Sequence, residues 1–165
     1  MAKDSKLTTV CNIDLASLCA FRPSFLAPLR ETFLAPDGTA VTENEISKLI
    51  VNAAYTIHTK LGPGLLESVY ERTLMYELNK AGLDVRRQYP MPLVYETIRM
   101  NIGFRPDLIV GDKVIVEVKS IEAIAPVHRK QLLTYLKVTD KRLGLLINFN
   151  VELIKNGITR VVNNL

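Results

Sequence analysis

The sequence predicts an α/β protein in which a mixed sheet is flanked by helices. Two stretches with helically spaced apolar residues come first, short strand-like segments follow, and a third helix leads into a nearly all-apolar strand. With 165 residues and 48% hydrophobic content, the chain can bury a core and is most simply one domain.

The first two helices have clear start and stop signals. Thr42 and Glu45 have the spacing of a capping box, and the apolar residues after them repeat with a helical period. The Gly-Pro-Gly segment at 62–64 ends this helix. A second helix is expected from about 65 to 81, because a glycine directly follows that stretch.

Strands are predicted on both sides of a third helix. That helix spans roughly Pro126–Val138, because proline suits the first turn of a helix. Five segments before it carry strand signals, and we expect them to supply three or four antiparallel strands; two more strands follow the helix, which gives a mixed sheet. The segments are Asp84–Tyr89, Leu93–Tyr95, Ile98–Gly103, Asp107–Val110, Val114–Lys119, Leu143–Phe149 and Ile158–Val162.

The first 41 residues differ from the rest of the chain. They lack clear periodicity and carry three prolines and an Asp-Gly turn. We therefore expect residues 1–41 to be a poorly ordered or loosely packed extension, and residues 42–165 to form the ordered domain. No function is assigned to the extension.

Composition permits nucleic acid as a partner without requiring it. The net charge is +4, and all of the excess lies from Thr42 onward because residues 1–41 hold four charges of each sign. The two cysteines, Cys11 and Cys19, have neither a zinc spacing nor a disulfide framework. Since no apolar run approaches the length of a membrane span, we expect a cytoplasmic protein without a membrane partner.

The strongest chemical signal comes from Asp107, Glu117 and Lys119 on two consecutive strands. Side chains alternate along a strand, so Glu117 and Lys119 share a face with Ile115. Taken alone, that pair is equally compatible with the polar face of an amphipathic strand. Arg105 lies two residues before Asp107 and is a candidate phosphate contact.

The turn at 111–113 tests whether the two acids meet. A two-residue turn would pair Asp107 with Val116 and place it on the wrong face of the sheet. A three-residue turn would pair Val110 with Val114 and Asp107 with Glu117. The hypothesis of a shared site therefore predicts the three-residue turn or a compensating bulge.

A divalent metal ion would resolve the repulsion between the two carboxylates. Mg²⁺ takes oxygen ligands and keeps several waters, and Mn²⁺ is its expected substitute. Lys119 beside such an ion could orient a water nucleophile, help to deprotonate it, or balance charge in the transition state. The residues leave these three roles open, and all of them suit cleavage of a phosphodiester.

Glu67 follows the 62–64 break directly, in the first turn of the second helix. A first-turn acid complements the helix dipole, which is its simplest role. As an alternative, Glu67 contributes a further metal ligand, either directly or through water.

The third helix carries polar side chains suited to a phosphate. Gln131 and Tyr135 are four residues apart and share a face, where an amide and a phenol could hydrogen-bond a phosphate or the lysine. His128, Arg129 and Lys130 lie near the electropositive start of the same helix. Each of these is also compatible with a solvated helix face.

Taken together, these motifs resemble the PD-(D/E)XK nuclease superfamily, and more closely the bacterial GxxExxY proteins within it. The resemblance covers about 42–162. The motifs are Gly64-x-x-Glu67-x-x-Tyr70, Arg105-Pro106-Asp107, Glu117-x-Lys119 and Gln131-x-x-x-Tyr135.

The resemblance implies a restriction-endonuclease-like αβββαβ core. It also implies metal ligands at Asp107 and Glu117, a contribution from Glu67, and Lys119 as the catalytic lysine. The Gln-x-x-x-Tyr element matches the exonuclease-like branch that includes lambda exonuclease.

The sequence therefore favours a Mg²⁺-dependent nuclease that acts on DNA rather than RNA. Two alternatives stay open: a module of the same fold that binds nucleic acid without cutting it, and a scaffold whose polar sheet face meets another protein. A homo-oligomer is compatible with the sequence but has no specific signal. Neither strandedness nor cleavage at ends or interior positions can be derived.

Overall fold

The computed structural model describes residues 41–164, which form four helices and seven strands. The elements are α1 (Glu43–Leu61), α2 (Glu67–Lys80), β1 (Val85–Arg87), β2 (Met91–Tyr95), β3 (Ile98–Phe104), β4 (Leu108–Val110), β5 (Val114–Lys119), α3 (Pro126–Val138), β6 (Leu143–Asn148), α4 (Ile154–Gly157) and β7 (Ile158–Val162).

Five of the strands form the main sheet, in the order β1-β4-β5-β6-β7. Neighbouring strands are antiparallel except β5 and β6, which are parallel and are connected through α3. The succession α2-β1-β4-β5-α3-β6 has the expected αβββαβ order. The prediction of a mixed sheet flanked by helices is confirmed.

The two faces of the sheet bury different helices. Val116 and Val118 belong to the larger core cluster, which they share with the apolar residues of α1 and α2. Ile115 belongs to a smaller cluster with Leu132 and Leu136 of α3. The alternation predicted for β5 is therefore confirmed, and the face that carries Glu117 and Lys119 is the α3 face.

Helix α1 begins and ends where the sequence signals place it. The Thr42 hydroxyl accepts a hydrogen bond from the Glu45 N–H, and the Glu45 carboxylate accepts one from the Thr42 N–H at 2.7 Å. The helix stops at Gly62, which has a φ of +69°. Beyond it, the buried Tyr70 hydroxyl donates to the Gly62 carbonyl at 2.6 Å and accepts from the Leu65 N–H.

Strands β2 and β3 do not join the main sheet. They form a separate two-stranded sheet, with Val94 and Tyr95 of β2 both 64% exposed. Pro92 in β2 lacks the N–H that a central strand must donate, which agrees with a position outside the main sheet. The short helix α4 was missed, because four residues are too few to show a helical period.

The expected extension at 1–41 lies outside the described residues except for Val41, which is buried. Its looseness stays a prediction. None of the helices within 41–164 is both long and apolar enough to cross a membrane.

Candidate active site

The turn between β4 and β5 brings the two acidic residues together. It contains three residues, 111–113, and pairs Val110 with Val114. Its first two residues have positive φ values of 58° and 55°, as in a type I′ turn, and the Lys113 N–H donates to the Val110 carbonyl at 3.1 Å. One more pair beyond the observed ladder sets Asp107 opposite Glu117. The predicted three-residue turn is confirmed.

Asp107 is fixed at both of its carboxylate oxygens. Oδ2 accepts a hydrogen bond from the Val118 N–H at 2.8 Å. Oδ1 accepts one from Gln88 Nε2 at 2.9 Å. Since each oxygen has a further lone pair, the carboxylate is held in one orientation and can still accept another partner.

Glu117 is a buried acid with an unused oxygen. The residue is 5% exposed, and its Oε1 has no hydrogen-bond partner in the described part of the chain. Burial and then the charge of Asp107 raise the pKa of Glu117 to about 8, against the opposing effect of Lys119. An unpartnered oxygen beside a second carboxylate is the arrangement that a cation would stabilise.

Lys119 lies beside Glu117 on the same face of β5. Its Nζ is 3.7 Å from Glu117 Oε2, which is too long for a short hydrogen bond but close enough for an ion pair when Glu117 is ionised. The lysine side chain is 19% exposed, which leaves its ammonium accessible at the edge of the buried acid pair.

Glu67 connects the start of α2 to the end of β5. It is the first residue of α2, and its Oε1 accepts a hydrogen bond from the Ser120 N–H at 3.0 Å. The Ser120 hydroxyl in turn donates to the Leu65 carbonyl at 2.7 Å. Glu67, which follows the Gly-Pro-Gly segment at 62–64, is therefore held next to the end of β5, the strand that carries Lys119.

An open cleft of about 770 Å³ lies at this end of the sheet. Asp107 and Glu67 both line it, whereas Glu117 and Lys119 are not among its lining residues. The structure thus joins Asp107 to Glu117 in the sheet and to Glu67 through the cleft. No group of three or more His, Cys, Asp or Glu residues within 41–164 is arranged to hold a metal ion.

Sequence reasoning missed two polar residues of the cleft, Glu71 and Gln88. Glu71 is 5% exposed, and its Oε1 accepts a hydrogen bond from Gln88 Nε2 at 3.1 Å. Arg87 Nε lies 2.8 Å from the same oxygen, but its N–H is not directed at it, so the contact is an ion pair. Glu71 could have been noticed as an acid one helical turn after Glu67, whereas Gln88 had no sequence signal.

The polar side chains of α3 contact one another, a neighbouring aromatic ring and the start of the helix. Gln131 Nε2 donates to the Tyr135 hydroxyl at 2.7 Å, and the Tyr135 ring stacks on Phe104 at 4.3 Å. His128 Nδ1 accepts a hydrogen bond from the Ala125 N–H and so caps the helix.

The three candidate phosphate-binding cations are all open to solvent. Arg129, Lys130 and Arg105 are exposed. Nothing in the described contacts assigns a ligand to them.

The site fits a hard divalent cation through the chemistry of its donors. Asp107 and Glu117 offer carboxylate oxygens from adjacent strands, and one buried oxygen of Glu117 is unpartnered. The raised pKa of Glu117 reflects its burial and then the charge of Asp107, which together outweigh the opposing effect of Lys119. The acid pair therefore offers oxygen donors of the kind that a divalent cation takes.

Comparison with known proteins identifies a family. The model of the PD-(D/E)XK nuclease superfamily matches residues 44–161. The crystal structure of an alkaline exonuclease (LHK-Exo) from Laribacter hongkongensis is similar, with a TM-score of 0.41 and 14% identity, over 74% of this chain and 71% of that chain. A likeness at this level does not bear on activity. No curated protein matches the chain significantly.

Proposed function

Because the chain belongs to the PD-(D/E)XK nuclease superfamily, we propose that it is a Mg²⁺-dependent nuclease that hydrolyses phosphodiester bonds in DNA. Within the superfamily we assign it to the GxxExxY proteins, on the strength of Gly64, Glu67 and Tyr70. The observation that carries the proposal is the register that sets Asp107 opposite Glu117, with Lys119 beside them.

We propose that Asp107 and Glu117 hold the metal ion and that Glu67 contributes from α2. The chemistry that a bound divalent cation supplies at such a site is Lewis acidity toward a phosphoryl oxygen and acidification of water. Glu117 is the residue whose proton must leave for the ion to bind, since burial favours its neutral form. Asp107 keeps its orientation through the Val118 N–H.

Lys119 supplies a positive charge beside the acid pair. A phosphodiester bound at the acid pair gains negative charge on its phosphoryl oxygens during attack, and an ammonium nearby stabilises that charge. The same ammonium can orient the attacking water by donating a hydrogen bond to it. The exposed Arg105, Arg129 and Lys130 and the polar Gln131, Tyr135 and His128 are proposed to contact the phosphate backbone around it.

The test is a cleavage assay in Mg²⁺ or Mn²⁺ on single-stranded, duplex and branched DNA, with RNA as a comparison. Asp107→Ala and Lys119→Ala should lower the rate by at least about 100-fold while the circular dichroism spectrum stays unchanged. The matched controls Asp140→Asn and Lys80→Ala change exposed residues of the same type. They should cleave at the wild-type rate.

Cleavage that persists in purified Asp107→Ala would contradict the proposed mechanism. Salt-dependent binding of nucleic acid without metal, and no cleavage of any substrate, would identify the non-catalytic module instead. Cleavage of RNA alone would correct the substrate.

A further inference from the structure

Gln88 adopts a backbone conformation that its side chain does not favour. It follows β1 directly and has a φ of +47°, in the left-handed region where residues with a Cβ are strained. Glycine would adopt this conformation without that strain.

Gln88 is attached to Asp107 twice. Its N–H donates to the Asp107 carbonyl at 2.9 Å, which continues the pairing of β1 with β4 by one residue. Its side-chain Nε2 donates to Asp107 Oδ1, also at 2.9 Å. The backbone of Gln88 thus holds the main chain of Asp107 in position, and the side chain of Gln88 holds the Asp107 carboxylate in one orientation.

The orientation of the Gln88 amide is fixed by a second acid. Nε2 also donates to Oε1 of the buried Glu71, at 3.1 Å. Because both partners are carboxylates, the amide must present its NH₂ group to both. Arg87, 2.8 Å from the same Glu71 oxygen, balances the charge of that acid and keeps it in place.

We propose that Gln88, anchored by Glu71, is a positioning residue that sets the orientation of Asp107 before a metal ion binds. The inference rests on the proposed function, because it assigns a role toward the same site. Val118 holds Oδ2 and Gln88 holds Oδ1, so rotation of the carboxylate about its last bond breaks at least one hydrogen bond. Loss of such an outer partner typically lowers metal affinity by about 10- to 100-fold.

The decisive variant is Gln88→Gly, which removes the side chain and relieves the backbone strain together. A purely structural role predicts a lowered melting temperature and unchanged metal affinity. A positioning role predicts a melting temperature equal to or above that of the wild type and an affinity for Mn²⁺ at least about 10-fold weaker. The matched control is Glu96→Gly, since Glu96 is exposed and has a φ of +51° in the β2–β3 turn.

The measurements are calorimetric titration with Mn²⁺ and the amide NMR signal of Val118 in metal-free protein. The Val118 N–H is bonded to Asp107 Oδ2, so its chemical shift reports the carboxylate orientation without any metal. The signal should move in Gln88→Gly and stay in place in Glu96→Gly. The variant Gln88→Met keeps the length and the strain but lacks the donor, and should weaken Mn²⁺ binding as much as glycine does.

Two results overturn the inference in distinguishable ways. If the wild type binds Mn²⁺ and Gln88→Gly or Gln88→Met binds it equally well, Gln88 does not position Asp107 and the proposed function is unaffected. If the wild type itself binds neither Mn²⁺ nor Mg²⁺, the inference and the proposed function both fail.

Discussion

The buried carboxyl group of Glu117 determines how the site responds to pH. Its pKa is raised to about 8, first by burial and then by Asp107. In the absence of a cation the folded protein therefore keeps a proton on Glu117 at neutral pH, whereas the unfolded chain releases it near the ordinary value of 4.5. The folded state binds more protons in this window, so stability falls as the pH rises through it.

We predict that the metal-free protein loses stability between about pH 5 and pH 8 and that Glu117→Gln does not show this loss. One coupled proton corresponds to at most about 1.4 kcal/mol per pH unit. The measurement is urea unfolding in EDTA at several pH values, with the wild type compared at each pH with Glu117→Gln. The variant should be the more stable protein at pH 8.

The control is Glu122→Gln, which changes an exposed acid three residues after Lys119. Its stability should follow the wild-type pH profile. Parallel profiles for the wild type and Glu117→Gln would show that Glu117 is ionised in the metal-free protein, contrary to its burial.

At the level of residues, strand alternation correctly predicted that Glu117 and Lys119 share a face with Ile115. The turn length could not be derived from alternation, but the hypothesis of a shared site required three residues, and the structure has three. The contacts of Gln88 could not be predicted, because they depend on a left-handed backbone and on two acids that are distant in sequence. Strand alternation predicts which face of the sheet a side chain occupies. It does not predict which loop residue will contact that side chain in the folded protein.

At the level of elements, the β4–β5 turn controls the register on which the site depends. Gly111 has a φ of +58°, and a Cβ there would lie 2.8 Å from Ile46 Cδ1. We predict that Gly111→Ala lowers the free energy of unfolding by about 2–4 kcal/mol, through backbone strain and a clash with α1. Chemical denaturation measures the loss.

Gly62→Ala provides the comparison for the turn. Gly62 has a φ of +69°, but nothing lies within 4 Å of the place its Cβ would occupy. With a ψ of −174° its backbone lies in a region that is essentially confined to glycine, so the substitution should cost the backbone term alone, about 1–3 kcal/mol. A loss below about 0.5 kcal/mol in Gly111→Ala would show that neither its backbone conformation nor the contact with Ile46 constrains the turn.

Tyr70 holds the segment between α1 and α2 that precedes Glu67. Its ring stacks on Phe149 at 4.3 Å, and its hydroxyl bonds the Gly62 carbonyl and the Leu65 N–H. We predict that Tyr70→Phe keeps the stacking but destabilises the protein by about 1–2 kcal/mol. Tyr76→Phe, at a residue that is 64% exposed, should have no measurable effect on unfolding.

Helices with clear capping residues at their ends were predicted more accurately than strands, whose place in a sheet depends on the strands they pair with. Helix α3 has the predicted bounds, and α1 begins at the predicted cap. The separation of β2 and β3 from the main sheet was missed, because alternation along a strand does not reveal its pairing partner. The one sequence feature that indicated this separation is Pro92, because proline is not tolerated in a central strand.

At the level of the whole molecule, the site forms where three parts of the fold meet. The β4–β5 hairpin supplies the acid pair, α2 supplies Glu67 through its bond to Ser120, and β1 leads into Gln88. These segments all contribute buried residues to the larger core cluster. Binding at the proposed metal site should therefore stabilise the entire fold.

We predict that Mn²⁺ raises the melting temperature of the wild type and leaves that of Asp107→Ala unchanged. A ligand at 100 times its dissociation constant stabilises a folded protein by about 2.7 kcal/mol, which is roughly 8 °C for a domain of this size. The ion competes with a proton for Glu117, whose pKa is about 8, so its apparent affinity should increase from pH 6 to pH 8. Thermal unfolding at both pH values measures this, and Asp140→Asn should shift as the wild type does. A shift of equal size in Asp107→Ala would place the bound ion elsewhere in the molecule.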